Sequence, residues 1–349
     1  MDRQLHETVL RGDVPAFLDL IQEDENIVGE TIGGSLNTVL HLAAKFGHLE
    51  LASEIVKLSP AMVSSENYRM ETPLHEACRE GHVDVVKLLL ENNPWVAYKV
   101  NLHNESVLFV ASRRGQFDVV KHFLNSYSRL LMLEDDRLRT PLHASVSAGH
   151  KGDLSRLSSP FGRTFLWRGD LLGCSPLHLA CKKGHLDITR ELLRLDPNLS
   201  SLQDNDGRTP LHWAAMKGHV SIIDAIFSIS LGSAEMLTKQ GEMVLHLAVK
   251  NNYYETIKYL VEKLNITKLM NMANNDGNTI LHLATARKLN TMITYLVHEK
   301  GIDVNANNNN GFTALDVIES DVSNLSAFLL KPTLQEAGFT TRITRNSRN

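Results

Sequence analysis

Histidine is the residue type best suited to chemistry in this sequence, because sixteen are present and imidazole can bind metals or transfer protons. Twelve recur in two fixed settings: five follow a glycine, and seven lie in six-residue blocks such as TPLHEA. A metal site needs ligands that converge on one point, whereas equivalent positions of stacked elements stand about 10 Å apart. We therefore expect structural histidines, with no metal and no cofactor. The seven block histidines are His41, His75, His143, His178, His212, His246 and His282.

The three cysteines are too few for a disulfide framework and favour a reducing compartment. Cys78 and Cys181 occupy the same position after a block and are expected to be small core residues. Cys174 is expected at a turn tip, where exposure would make it the most reactive of the three thiols. The sequence contains no phosphate loop, nucleophile elbow or kinase signature, so no catalytic residue is predicted and the protein is not expected to be an enzyme.

The blocks that hold these histidines recur with a nearly constant period. They begin at residues 38, 72, 106, 140, 175, 209, 243, 279 and 313, at spacings of 34 to 36 residues. Each unit reads as a turn, a helix, a tight turn at glycine, a second helix and a loop. Thr before Pro is a good helix N-cap, and the second segment has apolar residues at helical spacing.

This period predicts an all-α solenoid, because one helix pair cannot bury its apolar face alone and must stack on neighbours. Residues 1–34 are expected to form a partial capping repeat, and residues 35–330 nine repeats. Residues 331–349 read as a flexible basic tail. The first helices and turn tips should line a concave face. In the fourth repeat, the second helix is expected to be short or broken within residues 151–172, because few of its apolar positions are kept.

The two residues that end each first helix carry a charge bias and should point into the concave face. Nine of these sixteen residues, counted over the eight units before the last, are Lys or Arg, in a chain of net charge −4. These basic residues, called the basic stripe below, indicate either a groove for an acidic protein surface or charge that serves only solubility. Trp213 is either partly exposed on this face or packed in the core. The candidate contacts are Lys45, Phe46, Arg79, Arg113, Arg114, Lys182, Lys183, Trp213, Met216, Lys217 and Arg287.

Other partner classes find little support in the sequence. Aromatic residues do not alternate with the basic positions, so no nucleic-acid groove is predicted. No run of 18 apolar residues is present and the N-terminus lacks a signal peptide, so this chain is expected to be cytoplasmic without a membrane span. The sequence does not indicate an oligomeric state.

The period and the T-P-L-H-x-A pattern resemble the ankyrin repeat. This resemblance implies a rigid protein-interaction scaffold, with the motif histidines bridging neighbouring turns. A second resemblance is carried by the loops SPAMVSSEN and NPWVAYKVN, the NNNNGFTALDVIES segment and the TRITRNSRN tail. They are similar to plant ankyrin proteins of the PGG, accelerated-cell-death-like family.

That second family implies a role in plant defence, cell-death or stress signalling. It also implies a full-length parent anchored at the plasma membrane, with its repeats facing the cytosol. The chain stops where the family's first membrane helix would begin, so the sequence predicts either a truncated form or a soluble relative. The alternative function is a soluble adaptor that presents a substrate to a ubiquitin ligase or a kinase.

Overall fold

The computed structural model describes residues 1–152, 163–263, 267–299 and 301–319. These residues form helices joined by turns, with two isolated bridges, Thr31 to Thr38 and Val100 to Ser106, as their only β-type pairing. The predicted all-α class is confirmed. The predicted tail, the end of the ninth repeat and residues 153–162 of the segment expected to be irregular in the fourth repeat lie outside the described residues. The chain divides into two compact units, Met1–Pro176 and Leu177–Asn349, called unit 1 and unit 2 below.

Unit 1 is built from successive helix pairs, and each pair is followed by a short 3₁₀ turn. The first helices are Arg3–Arg11, Val39–Phe46, Pro73–Glu80, Val107–Arg114 and Pro141–Ala148. The second helices are Val14–Glu23, Leu49–Leu58, Val83–Asn92 and Phe117–Ser126. The 3₁₀ turns are Glu25–Gly29, Pro60–Ser64, Pro94–Tyr98, Ser128–Met132 and Arg163–Leu166.

Unit 2 repeats the same order of elements, and its opening helix begins at the unit boundary. The first helices are Pro176–Lys183, Pro210–Lys217, Val244–Lys250, Ile280–Ala286 and Ala314–Glu319. The second helices are Leu186–Leu195, Val220–Phe227, Tyr254–Lys263 and Asn290–His298. Shorter turns of helix are Pro197–Ser201, Leu231–Glu235 and Thr267–Met270. No helix in these ranges or in unit 1 has the length and apolar content needed to cross a bilayer.

The core of each unit is a column of motif leucines buried between neighbouring helix pairs. Leu74 in unit 1 and Leu211 in unit 2 are fully buried, and the other motif leucines are buried as well. Within each unit, first helices pack on first helices and second helices on second helices. Complete burial of such a side chain contributes about 1.5–3 kcal/mol, so the stacking of repeats is the main source of stability.

The first helices that open with a motif Thr and His begin at a reciprocal cap formed by these two residues. In the fourth repeat, the backbone N–H of His143 donates to Thr140 Oγ1 at 3.5 Å, and the Thr140 N–H donates to His143 Nδ1 at 3.2 Å. Pro141 follows at the first helical position, where its missing N–H is not needed. The helix ends at Gly149, whose φ of +88° is the left-handed conformation that glycine adopts readily.

Candidate interaction face

His41 and His143 use both ring nitrogens, one in the cap of their own helix and one in a bond to the next repeat. The Thr38 N–H donates to His41 Nδ1 at 3.2 Å, so that nitrogen is unprotonated and Nε2 carries the hydrogen. His41 Nε2 then donates to the backbone oxygen of Glu71 in the next repeat at 2.9 Å. His143 makes the same bond to the Cys174 oxygen at 3.1 Å. An imidazole bonded at both nitrogens is not available as a metal ligand or a general base.

The same inter-repeat bond recurs in unit 2. The Nε2 atoms of His178, His246 and His282 lie 3.0, 3.2 and 3.0 Å from the backbone oxygens of Arg208, Asn278 and Phe312. His75 and His212 are also fully buried, but their Nε2 atoms have no hydrogen bond of ordinary geometry within the described residues. Burial lowers the pKa of His75, His143 and His212 to about 4, which keeps all three rings neutral at physiological pH.

A second set of bridges comes from the residue that follows each turn glycine, a role beyond those predicted from the sequence. His48, His82 and His150 bond through Nε2 to the backbone oxygens of Leu10, Lys45 and Arg113, at 3.0 to 3.1 Å. Gln116 replaces histidine in one repeat and donates to the Arg79 oxygen at 2.9 Å. The recurrence of Gly-His at the repeat period is the feature of the sequence that could have identified these bridges. These side chains satisfy carbonyls at the ends of the first helices.

The cysteines are buried, and for Cys174 this corrects the expected exposure. Cys78 and Cys181 are fully buried, and Cys174 is nearly so. Burial raises the pKa of the Cys78 thiol well above its usual value and that of Cys181 to about 12, so neither is a thiolate at neutral pH. Position 174 directly precedes a motif, where the backbone is covered by the bridging histidine of the preceding repeat. In the described ranges, no group of three His, Cys, Asp or Glu side chains could hold a metal ion.

Part of the predicted basic stripe is neutralised by buried glutamates. Arg79 forms ion pairs with Glu71 and Glu76, and only 12% of its side chain is exposed. Arg113 pairs with Glu105 and keeps 40% of its side chain exposed. Arg79 is therefore held in the structure and is not an open contact, which differs from its predicted role.

The ion pairs follow a rule of eight residues along the sequence. A glutamate directly before a motif binds the basic residue eight positions later, at the end of the same first helix. Where Arg139 or Arg208 takes the place of that glutamate, the residue eight positions later is uncharged, Ser147 or Met216. The pairs are Glu71 with Arg79, Glu105 with Arg113, and Glu242 with Lys250.

Besides Lys45, four cations of the stripe remain open to solvent. They are exposed and form no ion pair with any residue in the described ranges: Arg114 in unit 1, and Lys183, Lys217 and Arg287 in unit 2. Lys45 is also exposed, with its Nζ 5.7 Å from the ring centroid of the exposed Phe46. Each unit thus presents cationic side chains at the ends of its first helices.

Trp213 is a core residue and not part of an exposed face. Only 8% of it is exposed, and its indole N–H donates to Asp204 Oδ2 at 2.9 Å. The Nζ atom of the half-buried Lys182 lies 4.2 Å from its ring centroid, a cation–π contact that anchors this lysine. Met216 is half-buried. Of the two alternatives for Trp213, the structure shows core packing.

Comparison with known proteins agrees with this architecture. A family model described as ankyrin repeats, in three copies, matches residues 5–100, 163–233 and 229–308. The crystal structure of the human ASB11 ankyrin repeat domain is similar at 25% sequence identity and a TM-score of 0.56, over 65% of this chain and 97% of that chain. No curated protein matches the sequence. The recurring caps, bridging histidines and glycine turns, together with this match over most of its length, establish that the chain belongs to the ankyrin repeat family.

Proposed function

We propose that this protein is a non-catalytic scaffold that binds another protein through the ends of its first helices. Ankyrin repeats are generally protein–protein interaction modules. The observation that carries the proposal is the exposure of Arg114, Lys183, Lys217 and Arg287 without an ion-pair partner in the described residues. A partner with an acidic surface would meet these charges, which would speed encounter and set orientation.

The absence of a catalytic role is part of the proposal and is supported by how the histidines are used. The ring nitrogens of His41 and His143 are occupied by the helix cap and by the next repeat. A rigid stack of repeats also loses little conformational freedom when a partner docks, which favours binding.

We also propose a setting in plant defence, cell-death or stress signalling, in the cytoplasm. What supports it is the similarity of the SPAMVSSEN, NPWVAYKVN and NNNNGFTALDVIES segments to plant PGG-type ankyrin proteins. A plasma-membrane-anchored parent with its repeats in the cytosol would follow from the same similarity.

Affinity capture from a plant leaf extract tests the binding role. The full chain is compared with a charge-reversed variant that combines Arg114→Glu, Lys183→Glu and Lys217→Glu. We expect the wild-type chain to retain specific proteins, with release as salt rises, and the variant to lose them by at least tenfold.

The matched control reverses three exposed charges on second helices: Lys121→Glu, Arg190→Glu and Lys258→Glu. It changes net charge by the same amount, so a general charge effect would lower capture in both variants. Retention of the same proteins by all three chains, or capture no greater than that of bare resin, would reject the proposed function.

A further inference from the structure

The first four turn tips of unit 1 differ from its fifth, which has Gly173, and from those of unit 2 at one backbone position. In unit 2 this left-handed position is always glycine: Gly207, Gly241, Gly277 and Gly311, with φ between +70° and +76°. In the first four tips of unit 1 it is Leu36, Met70, Asn104 and Leu138, with φ of +57° or +58°. Asparagine tolerates this conformation, but leucine and methionine are strained in it.

The strained apolar side chains also point into solvent. Leu36, Met70 and Leu138 are 49%, 43% and 46% exposed, and Tyr68 and Leu102 on the same tips are exposed as well. Burial therefore gives no compensation for the strain. By contrast, the unit 2 tips present polar side chains, in the segments NDG, KQG, NDG and NNG. Strained backbone conformations are concentrated at functional sites, and exposed apolar patches mark interaction surfaces. Strained residues whose apolar side chains are not buried therefore point to a binding role.

A cleft of about 460 Å³ lies beside the second and third of these tips, between them and the first helices of the second and third repeats. Among its charged residues, Glu71 and Glu105 compensate Arg79 and Arg113. The two remaining arginines give the cleft a net positive charge. They are Arg69 and Arg114, and both are exposed.

The tips are also regularly spaced. The Tyr68 N–H donates to the Ser35 oxygen at 3.1 Å, and the Leu102 N–H donates to the Arg69 oxygen at 2.8 Å, so each tip is hydrogen-bonded to the next. Each tip consists of two neighbouring chain segments, and hydrogen-bonded segments lie about 4.8 Å apart. Equivalent positions on successive tips are therefore about 10 Å apart. An extended chain rising about 3.1 Å per residue covers that distance in three residues.

From these observations we propose that the apolar tips of unit 1 (Leu36, Tyr68, Met70, Leu102 and Leu138) and the adjacent cleft dock an extended, acidic segment of a partner protein. Apolar side chains at about every third position of the segment rest on the tips. Its carboxylates face Arg69 and Arg114. This inference rests on the proposed function and deepens it, because it names the binding unit and the chemistry of the partner.

Selection from a random dodecapeptide phage library on the immobilised full chain tests the inference. We expect the enriched peptides to carry Asp or Glu together with Leu, Ile, Phe or Met. Synthetic versions should lose at least tenfold in affinity for the triple variant Leu36→Gly, Met70→Gly and Leu138→Gly, measured by fluorescence polarisation. Arg69→Glu with Arg114→Glu should weaken them comparably.

The control variant removes three other exposed apolar side chains of unit 1, at the ends of second helices and on 3₁₀ turns: Leu58→Ser, Trp95→Ser and Met132→Ser. We expect it to bind within twofold of wild type. The glycine variant should show no fall in melting temperature, so that lost binding is not lost folding.

Failure to enrich peptides, enrichment without acidic residues, or equal binding by the glycine variant would overturn the inference. If any of these is found while extract proteins are still captured in the charge-dependent manner described above, the proposed function stands and only the tip site is wrong. If the wild-type chain captures no more extract protein than bare resin while the selected peptides still bind the tips, the charge-dependent capture proposed above is wrong and the tip site stands.

Discussion

The α-carbon of Gly47 faces the ring of His82 in the next repeat so closely that a Cβ atom would lie 2.5 Å from Nδ1. His82 is fixed in this place, because its Nε2 bonds to the Lys45 oxygen at 3.0 Å. Gly47 also has a φ of +74°. Glycine here therefore serves two purposes, a left-handed turn and close contact between repeats.

Gly47→Ala should destabilise unit 1 by about 2–3 kcal/mol, the sum of backbone strain and a steric clash. Gly34→Ala provides a strain-only comparison, because Gly34 has a φ of +82° but no atom near its Cβ site, and should cost about 1 kcal/mol. Gly33→Ala has neither problem and should change stability by less than about 1 kcal/mol in either direction. Urea denaturation followed by circular dichroism measures the order, and equal effects at all three positions would contradict the argument.

Acid should unfold the protein through its buried histidines. Because burial lowers the pKa of His75, His143 and His212 from 6.5 to about 4, the unfolded chain binds protons that the folded chain does not. Their contribution to stability is complete above pH 6.5 and falls as pH drops towards 4, by about 1.4 kcal/mol per pH unit for each histidine.

His75→Phe tests one of these contributions, since Phe109 occupies the same motif position in the next repeat and is buried there. Between pH 6 and 4.5, the variant should reduce the slope of unfolding free energy against pH by about 1.4 kcal/mol per pH unit, which corresponds to one proton. If the substitution also lowers stability by the same amount at every pH, this slope does not change. An unchanged slope would show that His75 is already able to bind a proton in the folded state.

The pairing of Glu105 with Arg113 predicts that neighbouring arginines have different roles. Glu105 is buried, and Asn101 donates to its other carboxylate oxygen at 2.9 Å. Arg113→Met would leave that charge without its cation and should cost about 1–3 kcal/mol, a value moderated by the partial exposure of Arg113. Arg114→Met should change stability by less than about 0.5 kcal/mol.

A double-mutant cycle checks the pair. Glu105→Met combined with Arg113→Met should be less destabilising than the sum of the single substitutions, because no buried charge is left alone. Additive effects would mean that the two side chains do not interact. For the same reason, charge reversal at Arg113 is a poor probe of partner binding, since it would place two carboxylates together.

The fold was predictable because the same motif recurs in nine units. A residue that is ambiguous in one unit can be interpreted from the equivalent residues of the others. The block starting at Thr140 predicted a capped helix, and the structure has one from Pro141 to Ala148. The predicted groove charge stays a prediction, and it was a sum of charges that did not take ion pairing into account. Glu71 and Arg79 are eight residues apart, a distance that helical periodicity alone does not bring together, since Glu71 lies before the cap.

The strained apolar tips could not be predicted from a single motif, because the sequence does not report a backbone dihedral angle. Comparison of the repeats with one another held the signal. Met70 aligns with Gly207, which has a φ of +76°, so a left-handed methionine could have been suspected. Cys174 was misplaced for a related reason: its neighbours along the chain form a turn, but the position before a motif is covered by the preceding repeat.

Relief of strain at the tips gives the final prediction, in which stability and binding change in opposite directions. Met70→Gly should stabilise unit 1 by about 1 kcal/mol, because glycine adopts a φ of +58° without the steric cost that methionine has there. Met70→Ala removes the same exposed side chain but keeps a Cβ atom, so its stability should stay within about 0.5 kcal/mol of wild type. Both variants should bind the selected acidic peptides less well, since both lack the methionine side chain. Urea denaturation and fluorescence polarisation on the same preparations provide the comparison. If Met70→Gly lowers stability, or if Met70→Ala binds the peptides as tightly as wild type, Met70 is kept for the fold and the functional explanation of its strain is wrong.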